Sequence, residues 1–293
     1  MQVTEWLFGL YNGIATGMAI FLVAAGLTWI FGILKILNMA HGHFFMIGAY
    51  AAFSVIGKRP DALSSYFLGA LAAGALVSVL GYITDKLLLQ RLRKVDYHYV
   101  LIATFALMLC IEGAVRLIWG GEVQAINPPP GLDGAVQIGE LFIPRFTVFV
   151  IAAGAFVFML LEFAIQRTWV GKLMQAVASD PWMASMLGIN VPRLLSISVV
   201  ASFALAGFAG GLLVPFQSVD LTIGGSYLLL AFFAVIIGGL GSVRGAFLAS
   251  LLLGLVQNLG NLVLPNLPGF SIYLALTAFL IWWPNGIFRP KGA

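Results

Sequence analysis

Apolar residues dominate this chain in long blocks, and the polar positions fall mostly between them. A helix that crosses a bilayer needs about 20 mainly apolar residues. Taken in that unit, the pattern predicts spans near 6–31, 33–56, 63–86, 98–119, 146–165, 194–216, 226–243, 245–264 and 270–288. The fold class expected is therefore an all-α integral membrane protein: a polytopic helical bundle of about 8–9 transmembrane segments, one of them broken or re-entrant. The second and seventh blocks fit least well, being interrupted by glycine or polar groups.

One stretch departs from the pattern. Residues 167–191, RTWVGKLMQAVASDPWMASMLGINV, carry two short amphipathic helical patterns that cannot span a bilayer. Thr168 is placed to cap a helix running toward Ala178. Asp180 followed by Pro181 reads as an N-cap with proline in the first turn, where a missing N–H costs nothing. Gly188 suits the left-handed position that ends the second helix, and Pro192 is expected to keep it from resuming. Helices this short are marginal in water and need a surface to pack on. The stretch reads as a hydrophilic elbow between the fifth and sixth spans.

Composition agrees with a membrane protein: of 293 residues, 61% are hydrophobic and 9% charged, against about 25% charged in an ordinary soluble domain. The net charge of +4 does not point to nucleic acid, because the basic residues flank hydrophobic runs. Lys86, Arg91, Arg93 and Lys94 form one cluster, Arg167, Lys172 and Arg193 a second, and Arg289 and Lys291 a third. With nine spans these share one side with Lys35 and Arg244, eleven of the fifteen Lys and Arg residues. Cytoplasmic loops are the ones enriched in such residues, so the elbow and the carboxyl terminus are expected in the cytoplasm. Lys58 and Arg59 run against this trend. No Lys or Arg precedes Lys35, so the first block is expected to be kept as a span rather than cleaved as a signal peptide. The one external piece of any size, 120–145, has a triple proline and reads as a stiff connection, leaving a single domain over 1–293.

Candidate chemistry is sparse. His41 and His43, spaced i, i+2, lie about 200° apart on a helix and make no metal-binding face, so no metal or cofactor is expected. Gly171–Lys172 lacks the rest of a phosphate-binding loop, so any ATP must be bound by a partner. Cys110 has no partner for an intrachain disulfide and is expected as a small buried side chain. Glu112 and Arg116, spaced i, i+4, can pair along one face of the fourth span, but Arg116 lies within a turn or so of the outer surface and snorkelling is the cheaper reading. Glu162, near the inner end of the fifth span, can reach the basic side. The stretch 32–50, GILKILNMAHGHFFMIGAY, is polar at Asn38, His41, Gly42 and His43 between apolar flanks. Two readings are open: a helix break at membrane depth lining a solute path, or a cytoplasmic turn with Lys35 snorkelling. Gly9, Gly13 and Gly17, and Gly207 with Gly211 beside Ala206 and Gly210, form smooth stripes. These suit either packing within the bundle or an interface with a second subunit.

Several motifs together resemble one family. They are Gly26–Leu27–Thr28, NMAHG at 38–42, Gly48–Ala49–Tyr50, RLIWG at 116–120, RTWVG at 167–171 with Ala176, Asp180 and GINV at 188–191, GGLGSVRGAFLASLLLG at 238–254, and PNGIFRP at 284–290. The chain is similar to LivH-type permease subunits of ABC importers for branched-chain amino acids. The resemblance implies a bacterial inner-membrane subunit, without enzymatic chemistry, that moves branched-chain or other hydrophobic amino acids. Its implied partners are a LivM-like second permease, two cytoplasmic ATP-binding subunits and a periplasmic substrate-binding protein, with lipid around them. Arg167, Thr168, Gly171, Ala176, Asp180, Gly188, Ile189 and Asn190 would form the loop that couples to an ATPase. Asn38, His41, Gly42, His43 and Glu112 are candidates for the solute path. Three positions depart from the family. Gln175 replaces a common arginine, Pro181–Trp182–Met183 replace charged residues, and His43 stands where an acidic residue often follows the His–Gly pair. Coupling is therefore expected to use apolar side chains more than ion pairs. Related permeases handle urea, short amides or aromatic acids. An ion-coupled carrier would instead show uptake that survives without ATP, and a respiratory subunit would copurify with redox partners.

Overall fold

The computed structural model describes residues 3–93, 95–138, 141–283 and 286–287; Lys94, Glu140, Arg289, Lys291 and most of the 284–290 motif lie outside the described residues. The chain is helical almost throughout. Among the described residues, six helices are long and apolar enough to cross a membrane: α1 (Val3–Leu34), α3 (Leu63–Leu92), α4 (Tyr97–Trp119), α5 (Arg145–Arg167), α8 (Val191–Leu213) and α10 (Val243–Val263). Three shorter apolar helices join them: α2 (His41–Ile56), α9 (Ile223–Gly238) and α11 (Phe270–Trp282). The elbow forms α6 (Trp169–Ser179) and α7 (Pro181–Met186).

α1 and α8 form the centre. Residues 15 and 18–25 of α1 are almost wholly buried, as are Val199, Phe203 and Ala206 of α8. The two run antiparallel, since Ser202 Oγ donates to the Gly26 carbonyl at 2.8 Å while Trp29 and Ile33 pack near Leu194. Around them the packing repeats: α1 lies chiefly on α10 and α3 on α8, while α2 packs on α3 as α9 does on α10. Long–short–long helix triplets, α1–α3 and α8–α10, thus form an inverted pair, an architecture common in transporters.

The glycine stripes belong to this internal packing. A β-carbon on Gly13 or Gly17 would meet backbone of α10, and one on Gly211 would meet Ala70 of α3. They are bundle contacts, not free faces awaiting a second subunit.

Two boundaries differ from the sequence pattern. The seventh span begins earlier and ends at Gly238, because Gly239 (φ 98°) and Gly241 (φ 85°) turn the chain. The apolar run conceals that turn. Pro192 lies in the first turn of α8, starting it rather than merely blocking α7, with the Asn190 side chain as N-cap (3.1 Å to the Arg193 N–H). The external segment also contains a hairpin the pattern did not predict: β1 (Ala135–Ile138) against β2 (Leu141–Pro144). Gln124 bridges Val219, and the Asn127 N–H donates to Lys58 at 3.2 Å, tying this segment over the helix ends.

Candidate functional site

The candidate site residues fall in two regions: the elbow at one end of the bundle and the α2 entry in its middle. The elbow is built by local capping. Thr168 Oγ1 accepts the Gly171 N–H at 3.1 Å and donates to the Ala164 carbonyl, so the chain bends sharply from α5 into α6. Asp180 Oδ1 accepts the Met183 N–H at 2.9 Å, with Pro181 in the first turn of α7. Gly188, at φ 82°, ends α7 in the conformation that only glycine adopts without strain. Gln175 donates to the Ile165 carbonyl at 3.0 Å. Gln175 thus satisfies an open carbonyl at the end of α5.

The inner face of the elbow is apolar. Met174, Val177, Ala184 and Leu194 form a small core of their own, joined by Trp29, Ile33 and Ile189. That core seats α6 and α7 on the last turns of α1 and the first turns of α8. The outer face is also apolar: Trp169 (73% exposed), Trp182 (64%), Met186 (64%) and Leu187 (74%) stand free. Arg167, Ala176 and Asn190 are exposed beside them. Of the candidate coupling residues only Gly171 is buried, and its hydrogen faces the Ala164 and Ile165 carbonyls. Around this end lie Lys35, Lys86, Arg91, Arg93, Lys172, Arg193 and Arg244. Arg244 pairs with Glu162 (Nε to Oε1 2.7 Å), so the expected reach of Glu162 toward the basic side is seen.

A buried polar cluster next to the elbow has no local signature in the residue pattern. Asp85 is wholly buried in a π turn, Asp85–Leu89, near the end of α3. It pairs with Arg93 and accepts from Gln90 Nε2 at 2.9 Å. Gln90 also donates to Ser196 of α8 at 3.1 Å. The run DKLLLQRLRK looks like an interfacial segment, and only α8 makes its aspartate a core residue.

In the middle of the bundle, the α2 entry places His41 and the start of α2 at depth rather than in a surface turn. His41 Nε2 lies 3.3 Å from the Val23 carbonyl, eleven residues before the end of α1 at Leu34, about 16 Å along the helix. The chain therefore turns after Lys35 (φ 54°) and climbs back before α2 begins at depth. α9 starts beside it, with Gly224 packed on the Gly42 carbonyl and on His43. A break at this depth survives because protein surrounds it. Asn38, His41 and His43 are 1%, 0% and 2% exposed. His43 Nε2 is 3.7 Å from Glu112 Oε2 on α4. Glu112 thus faces α2, and among the described residues it forms no pair with Arg116, contrary to the i, i+4 expectation. His43, next to the His41–Gly42 pair, thus receives a carboxylate from a neighbouring helix. Cys110, expected to be buried, is exposed on α4.

A multi-pass, almost wholly helical bundle with an inverted pair of helix triplets has an architecture common among membrane transport proteins. The family described as "Branched-chain amino acid transport system / permease component" matches residues 9–282, and the chain belongs to it. It is 30% identical to the high-affinity branched-chain amino acid transport system permease protein BraD of Pseudomonas aeruginosa, over 99% of this chain and 96% of that one. Identity to LivH of Escherichia coli is also 30%, covering 99% and 98%. The ribose import permease protein RbsC of Escherichia coli is 28% identical over 85% of this chain and 74% of its own. No solved structure matches the chain.

Proposed function

We propose that this chain is one membrane half of an ATP-driven importer for branched-chain or other hydrophobic amino acids in the inner membrane. A second, LivM-like permease completes the pathway. Two cytoplasmic ATP-binding subunits supply the power and a periplasmic binding protein delivers the solute. The elbow and the carboxyl terminus face the cytoplasm, as the cluster of basic residues around the elbow supports. The observation that carries the reading is the elbow itself: apolar on both faces, seated inward on α1 and α8 and bare outward. An ATPase subunit that grips Trp182, Met186 and Leu187 would move the two central helices together. Since a bound state shifts an equilibrium only by its differential contacts, those contacts must differ between the open and closed forms. Asn38, His41, Gly42, His43 and Glu112, at the broken entry of α2, line the solute path in this reading. Full-length relatives named for branched-chain amino acids favour that substrate over urea, amides or aromatic acids.

The test uses the exposed side chains. Gly171→Glu is a poor choice, because even a β-carbon there meets the Ala164 and Ile165 carbonyls and disturbs folding. Trp182→Ser with Met186→Ser leaves the inner core intact. The double variant is expected to cut ATP-driven leucine uptake in proteoliposomes at least tenfold and to loosen copurification of the ATPase subunits. Asp180→Ala removes a cap worth about 1 kcal/mol and should lower coupling less. Full uptake and full copurification in the double variant would remove the elbow from the coupling path.

A further inference from the structure

We infer that the seam between α2 and α4 binds the head group of a zwitterionic α-amino acid, Glu112 taking the ammonium and His43 with Asn38 taking the carboxylate. This rests on the importer reading above and says how the membrane half recognises its solute.

The seam is a polar line inside an apolar bundle. α4 leans chiefly on α2 among the helices. From the α2 entry outward, the Met39 N–H donates to Thr104 Oγ1 at 3.3 Å, His43 meets Glu112, and Trp119 Nε1 donates to Ser54 Oγ at 2.6 Å. Three buried polar atoms here have no partner among the described residues: Asn38 Nδ2, His43 Nδ1 and the Tyr50 hydroxyl. Buried polar groups are normally bonded, and leaving one unmade costs about 1–3 kcal/mol. His43 and Tyr50, seven residues apart, share one face of α2.

Glu112 supplies the second argument. Its side chain is 42% exposed although it lies within a 23-residue apolar span. A carboxylate at such a position faces a path or another protein group, not lipid. The ammonium and carboxylate of an α-amino acid sit on substituents of one carbon, so Glu112 and His43, in contact at 3.7 Å, must part to receive them side by side. Such a head group can enter between them when α4 moves aside, its ammonium on Glu112 and its carboxylate against His43, the Asn38 amide and the amino end of α2. The positive end of a half-helix favours that carboxylate. The apolar side chain would then extend between α2 and α4. A relative 28% identical over 85% of this chain is named for ribose, which implies that the shared architecture does not itself specify an amino acid and that recognition lies in particular side chains such as these.

The experiment uses the reconstituted membrane complex, both permeases with their ATPase subunits, without the binding protein and without nucleotide. Saturation-transfer NMR reads competition among leucine, 4-methylpentanoate, which lacks the amine, and leucinol, which lacks the carboxylate. In the wild type, leucine at millimolar concentration should give a signal that neither analogue displaces at equal concentration. Glu112→Gln should weaken leucine at least tenfold and bring it level with 4-methylpentanoate, while Glu112→Asp keeps part of the preference. His43→Leu should bring leucine level with leucinol. A purely structural role would lower all three ligands together and shift the melting temperature, and that result overturns the inference. So does absence of leucine binding by the wild type, or loss of the second permease from the Glu112→Gln complex, which would mean that the carboxylate holds a cation of the partner. Wild-type complex that, given its binding protein, fails to couple ATP hydrolysis to leucine uptake would sink the importer reading instead.

Discussion

Asp85→Ala is expected to destabilise the protein by about 3–5 kcal/mol, the usual cost of removing one partner from a buried ion pair. Asp85 has no exposed surface and Arg93 only 14%. Burial already holds the Arg93 guanidinium below its ordinary pKa, even with the attraction of Asp85 opposing that shift. Without the carboxylate, a desolvated cation remains with no counter-charge, and Gln90 loses one of its two anchors. Since Gln90 also holds Ser196, only six residues into α8, the junction between α3 and the helix that follows the elbow loosens as well. Lys86→Ala, one residue along, is the control: its ammonium stands over the Tyr82 ring at 5.7 Å in an exposed position, an interaction worth about 0.5–1 kcal/mol. Thermal unfolding of the purified complex in detergent measures both. Equal, small shifts for the two variants would mean that Asp85 is solvated in the assembled importer and that the buried pair does not form.

What the sequence revealed depended on the range of the interaction. The elbow was legible because its determinants are local. Thr168, Asp180–Pro181 and Gly188 each act within three or four residues, and each does what its residue type prescribes. The long spans were legible because lipid imposes length and apolarity. What failed needed a distant partner. Whether 38–43 is a surface turn or a break at depth turns on the Val23 carbonyl. Glu112 looked fit to pair with Arg116 by helical spacing, but α2 offers His43 first. Cys110 looked like a core residue because apolar sequence does not separate a buried face from one that meets lipid or a second subunit. The end of α9 was misplaced for a related reason: GGLGS turns through two left-handed glycines inside an otherwise unbroken apolar run. The inverted repeat was invisible as well, since packing partners repeat while residues do not.

Gly210→Val is the second large effect, expected to exceed the roughly 1–3 kcal/mol typical of an overpacked core that can relax. A β-carbon at Gly210 would press on the Phe45 carbonyl and lie 2.8 Å from the Ala49 nitrogen, both backbone atoms of α2. On another side of α8, a β-carbon on Gly207 would meet the Val77 side chain at 2.5 Å and the Ala73 carbonyl at 2.9 Å, both of α3. The helix is therefore closed in by two neighbours, and at Gly210 the contacts are backbone atoms that cannot swing aside. Close backbone approach of this kind takes the place of a hydrophobic driving force where the surrounding solvent is lipid. The matched control is Gly225→Val in the first turn of α9, where an added β-carbon meets nothing within 4 Å. Both substitutions place the same β-branched residue in a helix, so intrinsic propensity changes alike in the two. Gly210→Val should abolish a monodisperse peak in size-exclusion chromatography, or lower the melting temperature steeply, while Gly225→Val stays near the wild type. Similar losses at both sites would locate the effect in the helices themselves, and the α2–α8 crossing would lose its claim to hold the broken entry of α2 in place.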